Sequence, residues 1–140
     1  MAILYNDERK DLPNDQLHRL FAHVGWSDEE IDPYLFERFN MPFINSTLVV
    51  SAWEGERLVG VVRVLSDRIT RSVIYDLAVE PDHQGQGTGG ELLRRCRAHF
   101  PDSGWLVATE PHIIGYYEKQ GFQPIHESEC PFLGIQGKYC

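Results

Sequence analysis

Residues 73–93 read VIYDLAVEPDHQGQGTGGELL, an apolar strand, a short polar connection, a run with four glycines and the opening of a helix. This order makes a phosphate cradle. Glycines carry no Cβ and tolerate positive φ, so their backbone N–H groups approach an anion closely. The following helix adds the unpaired donors of its first turn and the positive end of its dipole. A phosphorylated ligand is therefore expected at this stretch, and the rest of the chain is read outward from it.

Upstream, Thr47–Trp53 and Arg57–Leu65 are rich in β-branched and apolar residues, and Glu54-Gly55-Glu56 separates them. They read as a hairpin, and Ser72–Val79 completes a three-stranded meander leading into the glycines. Before the hairpin, Leu17, Leu20, Phe21 and Val24 fall on one helical face, in a helix that begins near Pro13–Asp15 and stops at Gly25. A second helix fits with Asp32 as N-cap and Pro33 at its first position, burying Tyr34, Leu35 and Phe39. Ala2–Tyr5 is a short apolar lead-in that suits an edge strand.

Downstream, a helix over Gly87–Phe100 places Leu92, Leu93 and Cys96 inward, and Trp105–Thr109 is a short strand. Pro111 opens a helix carrying Ile113, Ile114 and Tyr117 that Gly121 ends. Phe122–His126 and Phe132–Tyr139 read as two closing strands. The order is a meander, two βα steps and a final strand pair, which makes a single mixed sheet with helices on its faces, in the α/β (mixed α+β) class.

Composition narrows the function. With 140 residues, 42% hydrophobic and 24% charged, the chain fits one globular domain over 1–140. No run reaches membrane-span length, and the start MAILYNDERKD has no signal architecture, so a cytoplasmic protein is expected. Cys96, Cys130 and Cys140 are odd in number and lack CxxC spacing, and the six histidines lack HxH or HExxH spacing. Free thiols and no metal follow. Of the net charge of −8, residues 1–37 hold nine acidic against three basic side chains. Such a chain disfavours nucleic acid and anionic membranes as partners, and its acidic face serves solubility or draws a cationic substrate. Assembly as a homodimer is left open.

Two motifs parse the glycine run. Gly85-Gln86-Gly87-Thr88-Gly89-Gly90 satisfies G-x-G-x-x-G, with Glu110 twenty residues on. A dinucleotide fold, however, puts its first glycine at the end of its first strand, and here Pro81-Asp82-His83-Gln84 intervene and three strands come earlier. The fifty residues after Gly90 are too few for the remaining βα units.

The second parse is Gln84-x-x-Gly87-x-Gly89 after Leu77-Ala78-Val79-Glu80-Pro81, and it resembles the acetyl-CoA signature of the GCN5-related N-acetyltransferase (GNAT) superfamily. Tyr117-Glu118-Lys119-Gln120-Gly121-Phe122 is similar to that family's Y-x-x-x-G-F ending. The resemblance covers roughly residues 46–125. It implies a mixed, mostly antiparallel sheet of six to seven strands flanked by about four helices. It further implies an enzyme that moves the acetyl group of acetyl-CoA to a primary amine of a small molecule or peptide, by direct attack in a ternary complex.

The resemblance also implies roles residue by residue. The amides of Gln84, Gly85, Gln86, Gly87, Thr88, Gly89 and Gly90 would bind the CoA pyrophosphate, and the backbone of Leu77 and Val79 would pair with the pantetheine arm as an added strand. Arg94, Arg95 and Arg97 are candidates for the adenosine phosphate or plain solvated arginines. Tyr117 would protonate or stabilise the departing thiolate, a phenol of reference pKa ~10 facing a thiol of ~8.5, while Tyr116 suits core packing. The amine must lose a proton to attack, and Asp76, Tyr75 or a water path are the candidate bases. Asp76 equally fits a strand carboxylate paired with Arg63, and alternation sets it opposite Tyr75 unless a bulge intervenes. Glu110 stands where the family often carries a pantetheine-binding Asn, a departure that puts that contact in doubt. The Leu77 amide would hold the oxyanion.

Leu20-Phe21-x-x-Val24-Gly25-Trp26 and Arg63–Asp67 look like small stand-alone members of the superfamily, including some related to arylalkylamine acetyltransferases of plants and cyanobacteria. Trp26, Tyr34, Trp53 and the acidic N-terminal helices could frame the amine. Two other classes compete, a CoA-binding regulatory module without turnover and a plain interaction domain whose glycine run is only a loop.

Overall fold

The computed structural model describes residues 2–125, 134, 135 and 138. They fall into two compact units, 1–108 and 109–140. The first holds a five-stranded sheet in sequential order: β1 (Leu4–Asn6), β2 (Leu48–Glu54), β3 (Arg57–Ser66), β4 (Arg71–Val79) and β5 (Gly104–Val107). Neighbours are antiparallel except β4 and β5, which run parallel across the α4 (Thr88–His99) crossover. A dinucleotide fold, with its all-parallel core, does not match this sheet.

The meander follows its residues. Val and Ile crowd β2 to β4 because both faces of these strands are covered. One face carries Val49, Val61 and Ala78, packed with Leu12, Leu17 and Leu20 around helix α1 (Asn14–His23), and with Phe43 from α3 (Met41–Ile44). The opposite face receives α4, whose Leu92, Leu93 and Cys96 are buried as their spacing requires. Burial pushes the Cys96 thiol up to about 12, so it acts as a small apolar group rather than a nucleophile. Gly60 sets how closely α4 approaches. A Cβ there would lie 3.1 Å from Leu92 Cδ1, 3.4 Å from Ala52 Cβ and 3.5 Å from the Ala78 carbonyl.

The N-terminal boundaries also obey local chemistry. Chain reversal after α1 uses Gly25 at φ +86°. Helix α2 (Pro33–Glu37) starts as its sequence requires, with Asp32 accepting a 2.8 Å bond from the Tyr34 amide and Pro33 at the first position. None of its own residues is fully buried, and of the expected inward set Tyr34, Leu35 and Phe39 it is Phe39, beyond its end, that packs against the core, while Leu35 is half-buried. The helix ends before Phe39, Tyr34 is exposed beneath the Arg38 guanidinium (3.7 Å), and Phe39 packs edge-on against Phe21 and His18 instead. The short α3 has no periodicity to announce it, yet it delivers Phe43 to the core.

In the second unit, a 3-10 turn (Pro111–Ile113) leads into α5 (Ile114–Lys119). The sheet has five strands among the described residues rather than six to seven. Residues 122–125 of the expected strand 122–126 form none. The Phe122 amide donates to the Tyr117 carbonyl (3.1 Å) and Gly121 takes φ +95°, which closes a helix C-terminus where a strand would begin. The expected strand 132–139 lies largely outside the described residues. No helix among the described residues is long and apolar enough to cross a membrane.

Gly60→Val is expected to destabilise the chain by about 1–3 kcal/mol by forcing α4 off the sheet. Urea unfolding measures it, and an unchanged midpoint would show that α4 is not held at this distance by Gly60.

Candidate active site

Strand β4 changes its surroundings halfway along. From Arg71 to Ile74 it pairs with β3 on one side and β5 on the other, the last β5 pair being Ile74–Val107. From Tyr75 onward, among the described residues, only β3 pairs with it. The Glu80 amide donates to the Val59 carbonyl (2.8 Å). In the alternating antiparallel pattern, Leu77 and Val79 therefore direct their N–H and C=O groups away from β3. They face the edge that β5 has left. The Val79 carbonyl there accepts from Gln84 Nε2 (3.0 Å), which folds the loop back onto the strand end.

This open edge runs into the glycine loop. Pro81–His83 form a 3-10 turn, residues 84–87 make a tight turn, and α4 begins at Thr88 with Gly87 as its left-handed N-cap. Gly85 and Gly87 have φ of +78° and +87°, and a Cβ at either would meet nothing within 4 Å. The space above the loop is open, and the positive φ explains why glycine occupies both positions. Glu91 is the first α4 residue whose amide finds a carbonyl one turn back, that of Gly87 (3.0 Å). The amides of Thr88, Gly89 and Gly90 precede it in the first turn, where a helix has no backbone acceptor to offer. A strand edge with outward N–H and C=O groups thus continues into a glycine-lined helix N-terminus.

Side chains around the loop are tied to one another and to neighbouring elements. Arg94 and Arg95 both bind Glu91, and their hydrogen bonds, Arg94's first, hold its carboxyl down to about 2. Arg95 also reaches Asp7 and stacks on Tyr5. Arg94 and Arg95, both considered for a phosphate, are therefore engaged with the protein. His83 is buried, 2.6 Å from Asp82 Oδ1 through Nδ1 and 3.0 Å from Glu54 Oε2 through Nε2. Nothing in the spacing of Glu54, Asp82 and His83 along the chain announced this cluster.

Asp76 lies on the α1 and α3 face of β4, where Arg63 Nε donates to its Oδ2 at 2.7 Å. The two side chains are 18% and 21% exposed. A bulge does intervene: Arg63 opposes Asp76 while Val64 opposes Ile74, which leaves Tyr75 as the extra residue. Bulged residues lose strict alternation, and the Arg63 guanidinium also lies 5.3 Å from the Tyr75 ring. Tyr75 and Asp76 share one neighbour. Phe43 contacts the same guanidinium from α3 (5.7 Å).

Tyr117 belongs to the second unit, on α5. It is buried, between Tyr116 (5.3 Å) and Phe122 (5.6 Å), both edge-on. Of the two tyrosines it is Tyr116 that reaches the surface, contrary to the expected order, and partial burial raises its phenol pKa. Glu110, in place of the family's Asn, precedes the 3-10 turn and faces His112 (3.3 Å). The described residues contain no group of three or more His, Cys, Asp or Glu that could hold a metal.

Sheet, half-paired β4 and glycine loop define a class of acyl-transferase scaffold, and comparison supplies the family. The acetyltransferase (GNAT) domain family matches residues 18–137, so the chain belongs to the GNAT family. It is 31% identical over 114 residues to the uncharacterized N-acetyltransferase ycf52-like protein of Prochlorococcus marinus, covering 76% of this chain and 61% of that protein. It is 29% identical over 111 residues to the chloroplastic serotonin N-acetyltransferase 2 of Oryza sativa subsp. japonica, covering 76% and 54%. The chain thus spans little more than half the length of these relatives. The GNAT family acetyltransferase of Streptococcus pneumoniae TIGR4 shares the fold with a TM-score of 0.79 at 22% identity, covering 98% of this chain and 99% of that one.

Removing one partner of the Arg63–Asp76 pair strands the other charge with little water around it. Asp76→Ala is expected to cost about 1–3 kcal/mol of stability. Adding Arg63→Met should return part of that loss in urea unfolding. Strictly additive losses would show the pair to be uncoupled.

Proposed function

We propose that the chain is an N-acetyltransferase that carries the acetyl group of acetyl-CoA to a primary amine of a small molecule or peptide, with both substrates bound together. The observation that carries this reading is the open edge of β4 ending in the glycine loop. The residues fit the ligand: Leu77 and Val79 offer strand-type hydrogen bonds to the amide-bearing pantetheine arm. Residues 84–90 offer backbone amides, four of them on glycines without a Cβ, to a pyrophosphate. Acetyl-CoA, when bound, supplies a thioester carbonyl open to attack and a thiolate as leaving group.

The chain's own groups then divide the work. The Leu77 N–H, aimed at the open edge, is the donor proposed for the carbonyl oxygen as it gains charge. Asp76 is the proposed acceptor of the proton that the amine must lose before or as its C–N bond forms, directly or through water. Arg63 holds that carboxylate in position. Tyr117 is the proposed donor to the sulfur as the C–S bond breaks, since a phenol can share its proton with a thiolate at little cost. The family relation to a serotonin N-acetyltransferase favours amines over other acceptors.

A second reading draws on the Arg63 pair. The Asp76 carboxylate is already engaged by the Arg63 guanidinium, so an amine would have to compete for it, which suits a CoA-binding module without turnover. Release of free thiol from acetyl-CoA across a panel of amines separates the two, because only the enzyme releases it.

Tyr117→Phe should lower turnover by about tenfold to a thousandfold with little change in acetyl-CoA affinity. Steady-state kinetics equal to wild type would remove Tyr117 from the mechanism.

Gly87→Val should abolish acetyl-CoA binding. It places a branched side chain at φ +87°, in the space assigned to the phosphates. Near-normal affinity by calorimetry would sink the cradle assignment.

A further inference from the structure

The loop that begins at Gln84 is anchored by one buried side chain, that of His83. Its two ring nitrogens face two carboxylates on different elements, Asp82 in the same 3-10 turn and Glu54 at the end of β2. An ionised carboxylate only accepts hydrogen bonds, so satisfying both contacts requires an N–H on each nitrogen, which is the imidazolium form. The surrounding charges favour the same state. Glu54 and Asp82 are both held below the ordinary carboxylate range, chiefly by their hydrogen bonds to His83, and His83 is correspondingly raised, first by Glu54 and then by Asp82.

The remaining charged groups around this turn complete a network. Arg57, at the start of β3, lies 3.4 Å from Asp82 Oδ2 and 3.7 Å from Glu80 Oε2. Glu80, at the end of β4, is buried and also meets His23 (2.8 Å) and Arg19 (3.8 Å) from α1. The loop's other ties are side-chain amides in exposed positions, Gln84 to the Val79 carbonyl and Gln86 to the Asp82 carbonyl (3.3 Å). The Gln86 tie itself depends on where the turn holds Asp82.

We infer that His83 is a positioning residue of the cofactor loop, and that the proton it shares between Glu54 and Asp82 sets the upper pH limit for acetyl-CoA binding. The inference rests on the reading of residues 84–90 as the acetyl-CoA cradle. A neutral imidazole has one N–H, so deprotonation leaves either the half-exposed Glu54 or the exposed Asp82 carboxylate facing a ring lone pair, and where that carboxylate is Glu54 the turn loses its tie to the β2–β3 hairpin. The sign follows from linkage. A group whose pKa is raised by its partners keeps its effect at low pH and loses it as pH rises through the raised value. Affinity is therefore held at and below neutral pH and weakens above it, by about tenfold for each unit by which cofactor binding raises the His83 pKa. Ligand ionisation pushes the other way, because a phosphate monoester gains charge near pH ~6 and acetyl-CoA has no free thiol.

Calorimetry of acetyl-CoA binding to the full chain from about pH 6 to about pH 9 spans the imidazole range and tests the inference. Wild type should lose affinity on the alkaline side. His83→Phe, which fills the same space without a proton, should bind more weakly near neutrality and lack that alkaline loss. Glu54→Gln, remote from the loop and partly exposed, keeps a hydrogen-bonding group but removes one charge, so it should move the midpoint of the loss to lower pH. This variant keeps the inference falsifiable where His83→Phe fails to fold. Parallel profiles for wild type and His83→Phe, or an unmoved midpoint in Glu54→Gln, would overturn the inference while leaving the cradle intact. Absence of acetyl-CoA binding by wild type would overturn the cradle reading and this one with it.

Discussion

Among the described residues, strand β4 has strand partners on both sides as far as Ile74 and on one side thereafter. An unpaired strand edge is costly to leave buried and hazardous to leave exposed, so its retention in the middle of a sheet calls for another occupant. Among the described residues no strand closes the gap. The α4 crossover returns the chain to β5 beside the start of β4, so β5 covers only the residues up to Ile74. The strand and loop parts of the proposed site are placed by this arrangement. Leu77 and Val79 aim their amides and carbonyls into the gap because β3 uses the alternate residues. The glycine loop lies at its end because β4 must hand over to α4 there.

The bulge at Tyr75 is the second constraint, and it acts on the same strand. It falls where β5 pairing stops, and it lets Tyr75 and Asp76 both approach Arg63. A strictly alternating strand would have sent one of them to the α4 face. The pairing with Arg63 has opposing consequences for the proposed chemistry. It fixes the carboxylate beside the open edge, and it also satisfies a charge that a free base would offer to an amine. An incoming ammonium competes with Arg63 for the same oxygens, so any proton transfer to Asp76 is tied to how firmly Arg63 holds it.

Much of this was legible in the sequence where local chemistry decides structure. Pro33 after Asp32, Gly25 after an amphipathic run, and Leu92, Leu93 and Cys96 at helical spacing each named their element because the cause lies within a few residues. Gln84-x-x-Gly87-x-Gly89 after an apolar strand named the loop for the same reason. Failures occurred where partners distant along the chain decide. Tyr34 and Leu35 look buried by periodicity, but α2 is too short to lie against the core. Phe122 begins an apolar run, yet its amide closes the turn after α5. The cluster of Glu54, Glu80, Asp82 and His83 draws on two strands' ends and one turn, so no single window of sequence contains it. Tyr116 and Tyr117 are adjacent on a helix, and only packing tells which one turns inward.

Charge balance bears on how such an acidic chain could hold a polyanionic cofactor. The net charge of −8 opposes phosphates at long range. Arg94 and Arg95, which might have offset it, are committed to Glu91, and Arg57 is shared between Glu80 and Asp82. In the proposed complex the attraction therefore comes mainly from backbone amides and from the dipole of α4, which act within a few ångströms and are fixed in direction. Such a site depends on geometry more than on net field. Its affinity is sensitive to the placement of the turn at Pro81–His83, which orients those amides, and less sensitive to salt than a cluster of lysines or arginines would be. The buried charges of the chain are accordingly spent on holding the turn, and the bare backbone is left to meet the ligand.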